Sequence, residues 1–528
     1  MMKNYKQLNI NKIGVVLLAG ILSAFTAVAQ NIIPRPQQVV TKDGTFVINP
    51  ETRIVVPREL NAEAQLLQQG IADLTGNRLP ILSGSHSTPK NSIILRKATL
   101  SNGDESYHLA VTPHSVVIEA NKGKGFVYGS MTLLQLLPVQ EFANHAKSKP
   151  VPVRAVEITD FPRFKWRGLM LDVSRTFMSP QYLKRTIDRM AFYKLNILHL
   201  HLTDDQGWRI PVKSYPLLNQ KASMFDASYH EPTEFQGFYI ENDVKELVSY
   251  AALRNVELVP EIESPGHSHA PLFAYPELLC DYKISPIRPF LNDAPTVNDV
   301  FCVGNPASLK FFQSVISETA QLFPSGYLHL GGDEVPRNYW QSCAKCQALV
   351  RSQNLPNTSA LQGYFMQQLH DFAVKSGKRP VAWDEILHDN NFLTKDWIIM
   401  SWTGSKPGLL AAAKGYDVVM TPTSHMYFDY GYDAINTEKI FNFDPFEGAE
   451  SNQNLSKHIL GIQANFWSHI DRTPTKTDYQ LFPRLLGLAE RAWSASDDNN
   501  YAELRLRKNY HRIWLDYMDV KYYTGDFN

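Results

Sequence analysis

Ser179-Pro-Gln-Tyr-Leu-Lys-Arg-Thr-Ile-Asp-Arg-Met-Ala-Phe-Tyr-Lys-Leu-Asn-Ile-Leu-His-Leu-His-Leu-Thr-Asp-Asp205 reads as a helix running into a strand. Serine followed by proline is a start signal, because the hydroxyl can cap free N–H groups and the fixed φ of proline suits the first helical position. Leu183, Ile187, Met190 and Ala191 recur at i, i+4, i+7 and i+8 and so share one face. From Ile197 the text becomes a short apolar run that stops at Asp204-Asp205. The same unit repeats along the chain. Strands are expected at Gly168–Val173, Ile197–Leu202, Glu257–Ile262, Tyr327–Leu330, Pro380–Trp383, Ile398–Trp402, Val418–Thr421 and Leu460–Phe466. Helical stripes lie between them, for instance Val244, Leu247, Val248, Ala251 and Ala252, or Leu309, Phe312, Ile316, Ala320 and Phe323. Eight strands alternating with helices over about 330 residues fit an α/β fold, a closed (β/α)8 TIM barrel. A doubly wound open sheet is the alternative and normally has fewer strands.

Upstream the pattern differs. Short alternating strands at Thr45–Ile48, Ser92–Leu95, His108–Thr112 and Ser115–Glu119, with a helix from Gly125 to about Leu136, predict a smaller α+β domain over residues 30–155. Pro138, Pro150 and Pro152 punctuate its end, and the barrel is expected over 156–528. Residues 1–29 read as a signal peptide: Lys3, Lys6 and Lys12, an apolar run from Ile13 to Phe25, then Ala27-Val28-Ala29. The apolar run is too short to span a bilayer, so an exported, soluble protein, periplasmic or extracellular, is expected. The whole chain has 52 Lys+Arg and 52 Asp+Glu. A neutral chain without a basic run argues against nucleic acid as a partner.

In a closed parallel barrel, chemistry collects at the C-terminal strand ends. Here those ends carry Asp172, Asp204-Asp205, Glu261 leading to His267, Gly331-Gly332-Asp333-Glu334, Trp383-Asp384-Glu385, Trp402, Tyr427 with Asp429, and Trp467. Acids hold hydroxyl groups and indole faces stack on the C–H faces of a sugar ring, so the mouth suits a carbohydrate. Two carboxyl groups with separate tasks are usual for cleaving a glycosidic bond. Asp333 and Glu334, as sequence neighbours, cannot flank the sugar as a simple nucleophile-and-acid pair. One alternative is that Glu334 protonates the leaving oxygen while Asp333 holds a group of the substrate.

The run His329-Leu-Gly-Gly-Asp-Glu-Val335 resembles the signature of glycoside hydrolase family 20, the β-N-acetylhexosaminidases. Arg167-Gly-Leu-Met-Leu-Asp-Val-Ser-Arg175, His199-Leu-His-Leu-Thr-Asp-Asp-Gln-Gly-Trp-Arg209, Pro260-Glu-Ile-Glu-Ser-Pro-Gly-His267 and Trp383-Asp-Glu385 are similar to further motifs of that family, in its order. The resemblance implies an exo-acting, retaining, substrate-assisted enzyme that releases terminal GlcNAc or GalNAc from glycans and needs no metal or organic cofactor. It implies Asp333 holding the acetamido N–H, Glu334 as general acid and base, and Tyr427 on the acetamido oxygen. Trp383, Trp402 and Trp467 would box the methyl group and ring, Arg167 would grip O3 and O4, and Asp429 would contact O4 or O6. His267 and Asp204 would be linked to Glu334. One position departs: the family usually has a glutamate two residues after the strand-eight tryptophan, where this chain has His469. A histidine that turned cationic there could admit a 6-sulfate.

Two other readings compete. His199-x-His201 places two imidazoles on one strand face, as in metal-dependent barrel amidohydrolases, though partners at ligand spacing do not follow. A non-catalytic glycan-binding protein would keep the aromatic residues and could dispense with the acids. Cys280, Cys302, Cys343 and Cys346 are read as disulfides, with 280–302 and 343–346 favoured by proximity among three possible pairings. Cys343-x-x-Cys346 could be half a zinc site or a redox pair, but no second C-x-x-C completes the first and no thioredoxin-like strand precedes it for the second.

Overall fold

The computed structural model describes residues 31–84, 90–141, 150–291, 298–388, 392–495 and 500–527. The leader expected over residues 1–29 lies outside them. Among the described residues no helix is long and apolar enough to cross a membrane.

The chain forms two compact units. The first comprises residues up to Phe161 together with Ala502–Tyr517. It is built on a seven-stranded mixed sheet, whose long edge strand Gln38–Ile48 pairs antiparallel with Val151–Asp160. Because that second strand completes this sheet, the unit runs past the expected boundary at residue 155. The strands Arg53–Val56 and Ile81–Ser83 were not expected, and both are too short to show a period.

The second unit, Pro162–Tyr501 with Met518–Asn528, is a closed barrel of eight parallel strands. They are Trp166–Asp172, Ile197–His201, Glu257–Glu261, Tyr327–His329, Arg379–Trp383, Ile398–Ser401, Asp417–Met420 and Ile459–Phe466. Each predicted strand is present within two residues of its expected ends. The last strand pairs with the first, Gly461 opposite Trp166, which closes the sheet and leaves no edge. The helix Pro180–Phe192 starts where the sequence places it, with Ser179 Oγ accepting from the Tyr182 N–H at 3.3 Å. Inside the barrel Trp166, Ile197, Val259, Val381, Trp383, Ile398, Met400 and Val419 form one packed core. That core makes the floor of the mouth rigid.

The cysteines do not pair as expected. All four are free and buried, and they converge: Cys302 Sγ lies 3.6 Å from Cys343 Sγ and 3.8 Å from Cys346 Sγ, and Cys280 Sγ lies 3.9 Å from Cys346 Sγ. Proximity along the chain misleads here because folding brings the loop after the third strand against the loop after the fourth.

Candidate active site

A pocket of about 330 Å³ opens at the C-terminal mouth of the barrel. His267, Asp333, Glu334, Trp402, Tyr427, Asp429, Trp467 and His469 all line it, as the sequence predicts. Trp402 and Tyr427 stack with ring centroids 6.2 Å apart, and Trp467 lies 6.2 Å from Tyr427 at a steep tilt, giving an aromatic-walled cup. Trp383 is 1% exposed, packs against His329 and lies with its ring 6.2 Å from that of Trp467, next to the residues that line the pocket.

The turn carrying the two acids is held in an unusual backbone conformation. Gly331, Gly332 and Glu334 have φ of 70°, 103° and 47°. A Cβ on Gly331 would fall 1.9 Å from the Glu263 carboxylate, which accepts the Gly332 N–H at 3.0 Å. Glu334, a non-glycine residue in the left-handed region, is fixed by its N–H donating to Glu385 at 2.8 Å. Its carbonyl accepts from Asn298 Nδ2 at 2.9 Å, while Asn298 Oδ1 accepts the His267 N–H at 2.8 Å. Backbone strain of this kind collects where side-chain aim matters.

His267 is the hub of the charged groups. Its Nε2 is 3.3 Å from Glu334 Oε2 and 3.8 Å from Asp333 Oδ2. Its Nδ1 faces Asp205 Oδ2 at 3.1 Å and Asp204 Oδ1 at 3.5 Å. The nearer partner is therefore Asp205, which the sequence reading passed over in favour of Asp204. The two acids do different work. Burial raises both, but Arg175 Nη2, at 2.8 Å, overcomes it at Asp204 and holds that carboxyl well below the usual range, whereas Asp205 is raised. Burial disfavours the His267 imidazolium, yet the Asp204 charge and the bonds to its acidic neighbours prevail and raise it well above an ordinary histidine. The hydrogen bond from His267 in turn lowers Glu334, which is only partly buried.

Asp333 behaves oppositely. Burial, outweighing the pull of His267, pushes its carboxyl up to about 6. Its Oδ1 is buried without a hydrogen-bond partner, as are Asp429 Oδ1 and Trp402 Nε1. Burial likewise pushes Asp429 up to about 7 and keeps Tyr427 a phenol, a hydrogen-bond donor, far above its usual range.

One expectation is corrected by the geometry, and the electrostatics bear on another. Arg167 is not in the mouth. It stands at the N-terminal end of the first strand, fully buried, donating to the Lys194 and Phe164 carbonyls and lying over Trp493. A strand rises about 3.3 Å per residue, so the far end of Trp166–Asp172 is on the order of 15 Å away. The guanidinium lining the pocket is Arg175, which follows the strand's C-terminal end and pairs with Asp172 and Asp204. His469 does line the pocket, edge-on to Phe290, but burial and the nearby Arg175 lower its pKa. That shift works against a cationic contact with a 6-sulfate.

His199 and His201, the pair that suggested a metal site, are engaged with carboxylates. Glu261 bonds His201 Nδ1, lies 3.1 Å from His199 Nε2 and 2.8 Å from His329 Nδ1, while His201 Nε2 meets Asp204 at 2.7 Å. This buried network underlies the pocket and braces Asp204. Besides Arg175 and Asp205, the pocket includes Gln206, Phe290, Asn298, Thr423 and Tyr430, none of which the sequence singled out.

A parallel barrel whose mouth presents adjacent acids, a charged histidine and an aromatic cup defines a glycoside hydrolase. Residues 164–496 match the model of glycosyl hydrolase family 20, catalytic domain, and residues 29–161 match that family's domain 2. The chain belongs to glycosyl hydrolase family 20. It is 36% identical to a β-hexosaminidase of Porphyromonas gingivalis, covering 93% of this chain and 64% of that protein's length. It is 32% identical to one of Vibrio furnissii, covering 89% and 77%. Among solved structures, the GH20 exo-β-N-acetylglucosaminidase of Vibrio harveyi in complex with N-acetylglucosamine superposes with a TM-score of 0.84 at 31% identity, covering 94% of this chain and 78% of that one. The β-N-acetylhexosaminidase of Bacteroides fragilis gives 0.81 at 27% identity, covering 93% and 96%.

Proposed function

We propose that the chain releases single β-linked N-acetylhexosamine residues from the non-reducing ends of glycans, with the substrate's own acetamido group as nucleophile. The observation that carries this reading is Asp333: a buried carboxyl with an unpartnered oxygen, beside the Glu334–His267 pair and inside the aromatic cup. An anionic Asp333 accepts the acetamido N–H, and the Tyr427 phenol donates to the acetamido oxygen. That oxygen attacks the anomeric carbon as the glycosidic C–O bond breaks, and the proton of the Glu334–His267 pair passes to the leaving oxygen. Positive charge then spreads over the oxazolinium ring, where the Asp333 carboxylate offsets it at short range. Water attacks the anomeric carbon, gives its proton back to Glu334, and the ring reopens with retention.

In the substrate-free pocket the proton of the pair sits on His267. A sugar covering Glu334 removes the water that stabilises its anion and draws the proton toward the leaving oxygen. A pocket of about 330 Å³ is at the small end for ligand sites and suits one sugar ring. The decisive experiment compares aryl N-acetylglucosaminides, N-acetylgalactosaminides, 6-sulfated N-acetylglucosaminides and plain glucosides. The N-acetylated sugars should turn over and the glucosides should not, because they lack the internal nucleophile. Glucoside hydrolysis at a similar rate overturns the reading. The lowered pKa of His469 predicts no preference for the 6-sulfate. Export rests on the leader-like residues 1–29, and Edman sequencing of the mature protein starting at Gln30 would support it.

A further inference from the structure

The four buried cysteines lie outside the pocket, and the chemistry above does not use them. Their Sγ atoms all fall within 4.8 Å of one another. Separations of 3.6, 3.8 and 3.9 Å run Cys343 to Cys302 to Cys346 to Cys280 as one connected chain, not two isolated pairs. A tetrahedron with zinc–sulfur arms of about 2.3 Å has sulfur–sulfur edges of about 3.8 Å. We infer that Cys280, Cys302, Cys343 and Cys346 form a structural zinc site that ties together the two loops carrying the proton-transfer residues.

The protein around the sulfurs fits that role. Cys343 stands at the N-cap position of the helix Ala344–Ser352 and Cys346 lies in its first turn, so the C-x-x-C pair presents both thiols from one turn. The other two come from segments paired by the antiparallel bridge between Leu279 and Phe301, each immediately preceding a cysteine. The segment after Cys302 packs backbone on backbone against the C-x-x-C turn. A Cβ on Gly304 would fall 2.3 Å from the Lys345 carbonyl carbon, and the Gly304 N–H donates to the Cys346 sulfur. The Gly304 N–H and the nearby Lys345 charge offset part of the excess negative charge of four thiolates on a dication.

The consequence reaches the pocket through named bonds. The Trp340 indole, just before Cys343, donates to the Phe301 carbonyl at 2.9 Å, and the Phe301 N–H donates to Pro265 at 3.0 Å. Asn298, on the same loop, clasps both the His267 N–H and the Glu334 carbonyl. A tetrathiolate clamp at the base of these loops therefore fixes the distance between His267 and Glu334.

The test uses the full-length chain, purified without chelator or reductant. Metal is measured by inductively coupled plasma mass spectrometry, and thiols by titration in denaturant with chelator. The proposal expects about one zinc per chain with four thiols. Two disulfides without zinc, or four thiols that take up no added zinc, overturn it. Reconstitution with Co²⁺ after zinc removal should give thiolate-to-metal charge-transfer absorption and the intense visible bands of a tetrahedral site. Cobalt binding without the charge-transfer bands places the metal on the histidine–carboxylate clusters and also overturns the proposal. Cys302→Ser should lose the metal and melt at lower temperature. If that variant does not fold, the wild-type stoichiometry and cobalt spectrum decide the matter alone.

Discussion

His267 presents Nε2 to Glu334 at 3.3 Å while the opposite ring nitrogen rests on buried acids. The imidazolium is raised and Glu334 lowered, so the two share one proton that the ring holds when the pocket contains only water. Glu334→Gln removes the group that hands this proton on. General acid–base transfer contributes about 10²–10⁴ in rate, so kcat should fall by that factor for natural glycans. An aryl glycoside with a good leaving group needs no protonation and should retain more of its bond-breaking step. Binding of the product sugar, measured by calorimetry, should survive. Equal losses for both leaving groups would count against Glu334 as the acid.

Asp204 and Asp205 can be separated by substitution. Asp205→Asn removes the nearer carboxylate but leaves Asp204 anionic against Arg175. The His267 pKa then falls, because the Asp205 carboxylate beside its Nδ1–H becomes a neutral amide while the stronger Asp204 charge stays. The alkaline limb of the kcat profile should move to lower pH with KM little changed. Asp204→Asn also strips Arg175 and His201 of one of their two buried acidic partners each, leaving Asp172 and Glu261 to hold them alone. It should therefore lower the melting temperature as well as the rate, a loss that Asp205→Asn does not share.

Arg175 and Arg167 provide a paired test of the pocket's boundary. Arg175→Met removes a guanidinium that lines the site, and a charged hydrogen bond contributes about 1.5–3 kcal/mol. A fall in kcat/KM on the order of tenfold to a hundredfold is expected. Arg167→Met unpairs carbonyls at the opposite end of the barrel, so it should reduce stability while the kinetic constants per folded molecule hold. Steady-state kinetics together with calorimetric melting distinguishes the two outcomes.

That pair also shows what the sequence could and could not reveal. Strand identity was legible because most residues of each strand are apolar and buried on both faces, and turn-forming, acidic and aromatic residues cluster where the sheet ends. Asp333, Glu334, Trp402, Tyr427 and Trp467 follow from that rule alone. Arg167 and Arg175 share one motif, and the strand expected at Gly168–Val173 already puts Arg175 at the C-terminal end, so the role carried over by resemblance was set on the wrong arginine of the motif. Asp204 and Asp205 are adjacent, and the choice between them depends on a two-residue ribbon, Thr203–Asp204 against Gly207–Trp208, too short to carry a period. Phe290 and Asn298 come from an aperiodic loop after the third strand, so their places depend on tertiary contacts. The cysteines were invisible as a set for the same reason: two sit in that loop and two in the next.

Asp333 sets both a pH limit and a stability cost. Its carboxyl titrates near 3.8 when unfolded and near 6 in the folded protein, because burial disfavours the anion. The folded state thus binds the proton more tightly, so this group's contribution to stability is greatest below pH 4. It declines as pH rises from about 4 to about 6, by about 3 kcal/mol at 1.36 kcal/mol per pKa unit. The reaction requires the anion, so kcat/KM should fall on the acid side with an apparent pKa near 6. Asp333→Asn abolishes the charge that stabilises the oxazolinium ring, and turnover should drop by at least about 10². The same substitution removes a buried anion and should raise the melting temperature at pH 7.5 but not at pH 4. Differential scanning calorimetry at the two pH values, beside the pH–rate profile, checks both halves. A lower melting temperature at pH 7.5 would mean that the Asp333 carboxylate is better solvated or better paired than its burial implies.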